Sequence, residues 1–291
     1  MANTLRGILS FNEYRQPRNR AAYILFFIMA VLLSLVMVFP LIWVFLTSLK
    51  APADVYKIPV TLLPETWNLG NFATAWRSFR FPLMLFNTFA VYLATLTARL
   101  LVVLLAAYSL SKLKVPFRRT IYLLFLSTLV LPVFSYIIPS FLVINAFGLY
   151  DNWLALILPG AASSFPLLLA KGFMDEMPIE LCESARIDGS SELRILWSII
   201  LPIAKPVIAV ISILAFLEVW NNFFWPQLVI TSSEKWTMPI MLWYRTSVIG
   251  GNPPMNIQLA GMFFSILPPL ILFMFFQRYI TEGVTFAGIK G

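Results

Sequence analysis

Residues 180–206, "ELCESARIDGSSELRILWSIILPIAKP", form the one charge-dense stretch inside a chain otherwise built of long apolar runs. The stretch crowds Glu180, Glu183, Arg186, Asp188, Glu192 and Arg194 together and closes on Leu201-Pro202 and Pro206. Pro178, just upstream, fits the first turn of a helix, where a missing N–H costs nothing. Gly189 offers the left-handed conformation that stops that helix. Ser190 or Ser191 then caps a second helix, which runs as "ELRILWSIIL" to Pro202. The pattern predicts two short helices around a glycine corner. Glu176, Glu180 and Glu183 are spaced to share one side, and Leu181, Ser184, Ala185 and Asp188 line another. Small residues at 184 and 185 let a second surface approach the backbone. Leu193, Leu196, Trp197 and Ile200 make an apolar stripe, expected to pack on the chain's own helices. An ordinary solvated loop is the competing reading. A length of about 30 residues is long for one, and the Pro–helix–Gly–helix–Pro order favours an element that docks to a water-soluble partner.

Around this stretch the composition is that of an integral membrane protein. The 291 residues are 60% hydrophobic and 12% charged, with 26 Phe and 9 Trp. A soluble domain carries about 25% charged residues, so there is too little polar surface here to cover a water-facing body. The net charge of +8 is therefore read as orientation and lipid contact, not as a nucleic-acid footprint. One cysteine, Cys182, excludes an intrachain disulfide. The absence of histidine excludes His-based triads and zinc sites with His ligands.

A helix needs about 20 apolar residues to cross the hydrocarbon core. Six segments qualify: 22–47, 84–111, 120–143, 153–173, 205–230 and 257–278. The N-terminal run 21–49 is uncharged and longer than the ~7–15 residues of a signal-peptide core, so it is read as an uncleaved span. Arg99 and Glu218 are the charges that interrupt spans. One set of flanks carries Arg6, Arg15, Arg18, Arg20, Lys112, Lys114, Arg118, Arg119, Lys171, Arg186, Arg194, Lys205, Arg278 and Lys290. The other carries only Lys50, Lys57, Arg77, Arg80, Lys235 and Arg245. The basic excess puts both termini and the opening stretch in the cytoplasm. The first outer loop, "KAPADVYKIPVTLLPETWNLGNFATAWRSF", mixes Pro, Gly and aromatics and reads as ordered. The expectation is one membrane domain over 1–291, all-α, with a cytoplasmic segment 1–20 and a long inner loop at about 174–206.

With Glu183, Ser184, Ala185, Gly189 and Leu201-Pro202 in these positions, the opening stretch closely resembles the EAA loop of binding-protein-dependent ABC importer permeases. Ser184 replaces the first alanine of that pattern. "SLKAPADVY", Asn87-Thr88, "AYSLSK", "LPVFSYIIPSFLV", "WNNFFWP" and the ending "QRYITEGVTFAGIKG" resemble the MalG-like subunits of maltose-type systems. The resemblance implies a type I importer permease fold in a bacterial or archaeal inner membrane. It also implies a second, MalF-like permease, two ATP-binding cassette ATPases and an extracytoplasmic solute-binding protein. Glu183, Ser184, Ala185, Asp188, Gly189, Leu201 and Pro202 would form the coupling element that docks to one ATPase. Gly288, Lys290 and Gly291 would reach the ATPase pair from the C-terminus. No G-x-x-x-x-G-K-[ST] motif occurs in the chain, so ATP and Mg²⁺ are expected on the partner ATPases, with no cofactor and no catalysis in this chain.

Sugars present hydroxyls and apolar C–H faces, which amides and aromatic rings suit. Asn87, Tyr136, Asn145, Glu218, Trp220 and Asn221 are therefore candidate path-lining residues, with helix–helix packing as the competing reading for each. Arg99 and Glu218 have two readings, a structural ion pair and a path-lining role. A sugar or oligosaccharide is the expected cargo. A polyamine or an anion is the alternative within the same class, and an ion-coupled secondary transporter lies outside it.

Overall fold

The computed structural model describes the backbone of residues 17–247 and 252–288 and the side chains of residues 19–247 and 252–277. Helices are the regular elements, and no strand occurs among the described residues. Contacts divide the chain into two compact units.

One unit joins the chain up to Ala75 with Pro254–Phe263. Helix α1 (Pro17–Ser48) is apolar on every face, and its side chains from Leu25 to Leu33 are exposed. A helix without a polar face suits lipid, not water. Its C-terminal end is sealed, with Thr47, Ser48, Leu49 and Lys50 all buried. Asn71 Nδ2 donates to the carbonyls of Ser48 (2.8 Å) and Lys50 (2.9 Å), and Asn256 Nδ2 donates to the Lys50 carbonyl at 3.0 Å. The rings of Phe45, Phe72 and Phe263 pack at 5.0–6.0 Å. The loop after α1 carries α2 (Pro52–Val55) and the start of α3 (Gly70–Ser78).

The other unit comprises Trp76–Pro253 and Phe264–Gly291. Its axis is α4 (Phe81–Lys112), whose buried residues recur from Phe81 to Lys112. Next come α5 (Arg118–Thr128) and α6 (Val133–Ala146), bent by 103° from one another. The reading of 120–143 as one straight span is thus corrected. The first helix stops at Thr128; the residue before a proline avoids the helical region, and Pro132, extended at φ −61° and ψ 133°, precedes the first residue of the next. Helices α7 (Leu154–Ala161) and α8 (Ser164–Glu176) follow, both packed along α4. The opening stretch gives α9 (Glu180–Ile187) and α10 (Glu192–Ile203). Then come α11 (Lys205–Asn221), α12 (Phe224–Val229), α13 (Met238–Ser247) and α14 (Met255–Gly288).

Among the described residues, four segments are long and apolar enough to span a membrane: Asn19–Ser48, Phe81–Lys112, Leu154–Glu176 and Met255–Gln277. Counting each of the bent pairs α5–α6 and α10–α11 as one broken span would bring the number to six. The expected fifth span, 205–230, is helical only to Asn221. Asn222 takes an extended backbone (φ −82°, ψ 108°), and Pro226 four residues later cannot donate to a continuing ladder.

Candidate functional site

The two helices of the opening stretch form an elbow. Gly189 has φ +80°, its N–H donates to Arg186 O at 3.0 Å, and Ser190 N–H donates to Ala185 O at 2.9 Å. That pair of bonds is a Schellman motif, which only a left-handed residue completes without strain. Ser191, not Ser190, caps α10, its Oγ accepting from Arg194 N–H at 3.4 Å. α9 starts at Glu180, two residues past Pro178, so Glu176 belongs to α8 and does not share a helix with Glu180 and Glu183.

Polar ties fix the elbow to the end of α4. The Arg186 guanidinium grips Glu192 through Nε–Oε1 (2.7 Å) and Nη2–Oε2 (3.2 Å), a bidentate geometry with directional strength. Tyr108 OH donates to the same Glu192 Oε2 at 2.5 Å, and Lys112 Nζ donates to Met177 O at 2.6 Å. The side-chain hydrogen bond to Glu192 holds the Arg186 pKa above its ordinary value, despite the opposing effect of burial. Beneath the ties, Cys182, Ala185, Ile195, Leu196 and Ile200 pack with Leu104, Ala107, Leu167 and Met174 in one apolar core.

This packing changes the expected faces. Ala185 points into the chain's own core (7% exposed), so Ser184 is the small residue left on the outer side. In α10 the buried set is Ile195, Leu196 and Ile200, while Leu193 and Trp197 are exposed. The reason is a π-helical turn over Leu196–Ile200, where Leu201 N–H reaches back to Leu196 O. Pro202 supplies no N–H, and its ring crowds the carbonyl four residues earlier; the widened turn shifts which residues face inward. The outward face of α9 presents Glu180, Leu181, Glu183, Ser184, Ile187 and Asp188, with Ile187 87% exposed. Beside it lies a groove of about 1120 Å³, lined by Lys112, Lys114 and Arg118 together with Glu180, Glu183 and Ile187. Leu201 is half-buried and Pro202 exposed. A second corner, 81° between α10 and α11, joins the elbow to α11. Only the Pro202–Pro206 pair hints at this bend in the residue order.

The second site is a cavity of about 620 Å³ among α4, α6, α7, α11 and α12. Tyr136, Glu218 and Asn221 line it, as do Thr95, Gly160, Trp225 and Thr237, which sequence reasoning did not single out. Arg99 Nη2 pairs with Glu218 Oε2 at 2.7 Å, and Arg99 Nε donates to Gly160 O at 2.7 Å. Gly160 is needed here: a Cβ would come within 2.8 Å of Thr95 Cγ2 and 3.4 Å of Arg99 Nη2. The non-helical backbone at Asn222 borders the same space, where irregular backbone is tolerated within a membrane.

Asn87, Asn145 and Trp220 lie outside the cavity lining. Asn87 is buried, and its Nδ2 donates to Glu234 O (2.7 Å) and Trp236 O (2.9 Å). Trp220 stacks on Phe216 at 5.3 Å. Asn145 is exposed near the end of α6. Next to these loops, Asp151 forms a clamp. Its Oδ1 accepts from the backbone N–H groups of Thr231 and Ser232 at 2.9 Å each, and its Oδ2 accepts from Lys235 Nζ at 2.8 Å. Burial pushes its carboxyl up, but the bonds from Lys235, Ser232 and Thr231 outweigh that and hold it well below the usual range. Of the expected tail residues, Lys290 and Gly291 lie outside the described residues, and Gly288 is described only as the last helical position of α14.

Residues 100–286 match the family described as binding-protein-dependent transport system inner membrane component. The chain belongs to that family. The permease is 33% identical over 291 residues to the arabinooligosaccharides transport system permease protein AraQ of Bacillus subtilis, covering 99% of this chain and 100% of AraQ. It is 30% identical over 263 residues to the sn-glycerol-3-phosphate transport system permease protein UgpE of Yersinia enterocolitica, covering 88% and 94% of the two chains. It is also 30% identical over 267 residues to the sulfoquinovosyl glycerol transport system permease protein SmoH of Agrobacterium fabrum, covering 91% and 93%. In fold the permease is similar, at TM-score 0.82 and 24% identity, to a chain of a bacterial ABC transporter involved in the import of the acidic polysaccharide alginate. That match covers 90% of this chain and 98% of the other.

Proposed function

We infer that the permease is the membrane-spanning, non-catalytic subunit of an ATP-driven importer for a sugar or oligosaccharide. The observation that carries this reading is the elbow: an exposed face of carboxylates, Ser184 and Ile187 on a helix tied rigidly to α4 and continued into α11. A docked partner that shifts this helix acts on the body through stiff joints, and different contacts in two states are what a coupled motor requires. The motor is a pair of ATPases that carry ATP and Mg²⁺. A second permease completes the pore, and an extracytoplasmic binding protein delivers cargo. Glu183, Ser184, Asp188 and Gly189 form the docking surface. Ala185, Leu201 and Pro202 shape it from behind, and the C-terminal Gly288, Lys290 and Gly291 add a second ATPase contact. The whole chain, 1–291, works as one membrane domain with both termini and the elbow in the cytoplasm, as the basic flanks favour.

The relatives named for arabinooligosaccharide, sulfoquinovosyl glycerol and sn-glycerol-3-phosphate transport support a hydroxylated cargo. The cavity lined by Tyr136, Glu218 and Asn221 is its path through this subunit. The test is the reconstituted importer carrying Glu183→Lys or Gly189→Pro. The expected result is lost coupling, with ATP hydrolysis no longer stimulated by cargo-loaded binding protein, or lost ATPase co-purification. Normal uptake and normal stimulation in both variants would remove the docking assignment.

A further inference from the structure

The turn between α4 and α5 carries a concentration of charge that the elbow's ties do not use. A pocket of about 500 Å³ lies where α4 ends and α5 begins, against α8, and is lined by Ser111, Arg118, Arg119, Tyr122, Lys171 and Asp175. Its walls are held together. Ser111 Oγ donates to Lys171 O at 3.4 Å, and the Thr128 and Ser164 hydroxyls meet at 2.6 Å at the far end of α5. Lys171 Nζ pairs with Asp175 Oδ2 at 2.5 Å and lies 4.7 Å from the centre of the Tyr122 ring, so these two charges cancel. Arg118 and Arg119 are exposed and make no ion pair among the described residues. Arg118 also borders the groove beside α9, and no carboxylate there pairs with it. The pocket therefore keeps two uncompensated guanidinium groups.

The pocket sits at a boundary. Two segments of spanning length end beside it, at Lys112 and Glu176. Phe117, in the turn, is exposed. Past Arg119 the helix carries exposed Leu123 and Leu124, about 6–8 Å further along its axis. A water-soluble partner reaches the charged rim but not a leucine face within a span, and a free anion has no use for that face. A phospholipid fits both. Basic pockets between spanning helices hold anionic headgroups, guanidinium forks match phosphate oxygens, and aromatic side chains sit at headgroup level. We propose that this pocket holds the phosphate headgroup of an anionic phospholipid. Arg118 and Arg119 donate to the phosphate oxygens, and an acyl chain runs along Leu123 and Leu124. The site is separate from the cargo cavity and does not depend on what the importer carries.

The test is photolabelling of the assembled importer in phosphatidylcholine nanodiscs. The probe is a phosphatidylglycerol whose acyl chain carries a diazirine, with adducts mapped by mass spectrometry. Adducts on residues 120–128 are expected. Unlabelled phosphatidylglycerol should compete them away, whereas added phosphatidylcholine and millimolar inorganic phosphate should not. Arg118→Gln with Arg119→Gln should lower this labelling about tenfold, the combined worth of two basic groups at a bilayer surface. Both side chains are exposed and unpaired, so their loss leaves the fold intact. Arg118→Lys with Arg119→Lys keeps the charge and should retain most of the labelling. Labelling that the glutamine pair leaves unchanged would mark bulk lipid and overturn the site. Competition by inorganic phosphate would make it a free-anion site, and a lack of adducts on α5 would show that another subunit covers the face; either result overturns the lipid assignment. A lysine pair as weak as the glutamine pair would overturn the role of charge.

Discussion

Arg99 on α4 and Glu218 on α11 stand 2.7 Å apart, one sealed in protein and the other half open to a cavity. Losing the carboxylate would strand a buried cation, whereas losing both charges would leave an apolar contact. Glu218→Ala should therefore lower stability by roughly 3 kcal/mol, and Arg99→Met with Glu218→Leu should recover most of it. Thermal melts of the purified protein in detergent measure both. A double variant no more stable than Glu218→Ala would show that the pair's charges do not couple.

Gly160 meets the same arginine from the other side. A Cβ there collides with Thr95 Cγ2 at 2.8 Å, so Gly160→Ala should push α7 from α4 and cost about 1–3 kcal/mol. Thr95→Ser deletes the offending methyl and should relieve the cost in the double variant. Melting temperatures of the three variants decide the point, and an absence of rescue would place the strain elsewhere.

At the elbow, Gly189→Ala keeps the surface almost unchanged, since nothing lies within 4 Å of its added Cβ. The φ of +80° still penalises any L side chain by about 1–2 kcal/mol. Gly189→Asn should be milder, because asparagine tolerates the left-handed region. Cargo-stimulated ATPase activity of the importer should fall in the order glycine, asparagine, alanine. Equal activity in all three would mean that the corner needs no left-handed residue for coupling.

The Asp151 clamp sets a pH dependence. Its carboxyl is held below the ordinary 3.8 in the folded state, so its stabilisation is complete above that unfolded value. It is lost as pH falls through the lower folded one. Asp151→Asn should cost about 1 kcal/mol at every pH from about 5 to 8. The gap to wild type should close progressively below about pH 4. Melting curves across that range give the answer, and a gap that widens in acid would contradict the clamp.

Much of this protein can be read from residue order. Apolar runs of 20 or more residues demand a lipid environment; four of the six runs form spanning-length helices and the other two belong to bent pairs. Gly189 marked the corner because left-handed backbone is a local property, as is the preference of serine for a helix N-cap. The EAA-like spacing of Glu183, Ala185 and Gly189 was legible for the same reason.

What the sequence by itself determined was therefore the class, the spans and the position of the elbow, all set within a few residues of one another. Tertiary structure alone decided which side chains meet. Arg99 and Glu218 pair across 119 positions of sequence, and Asn87 binds carbonyls about 150 residues away. Ala185 turned inward because α9 packs on the core beside α4, and Trp197 outward where one proline opened a π turn. Local chemistry fixes where a helix starts and stops. The face it buries, and the partners its charges find, depend on neighbours whose distance along the chain carries no local signal.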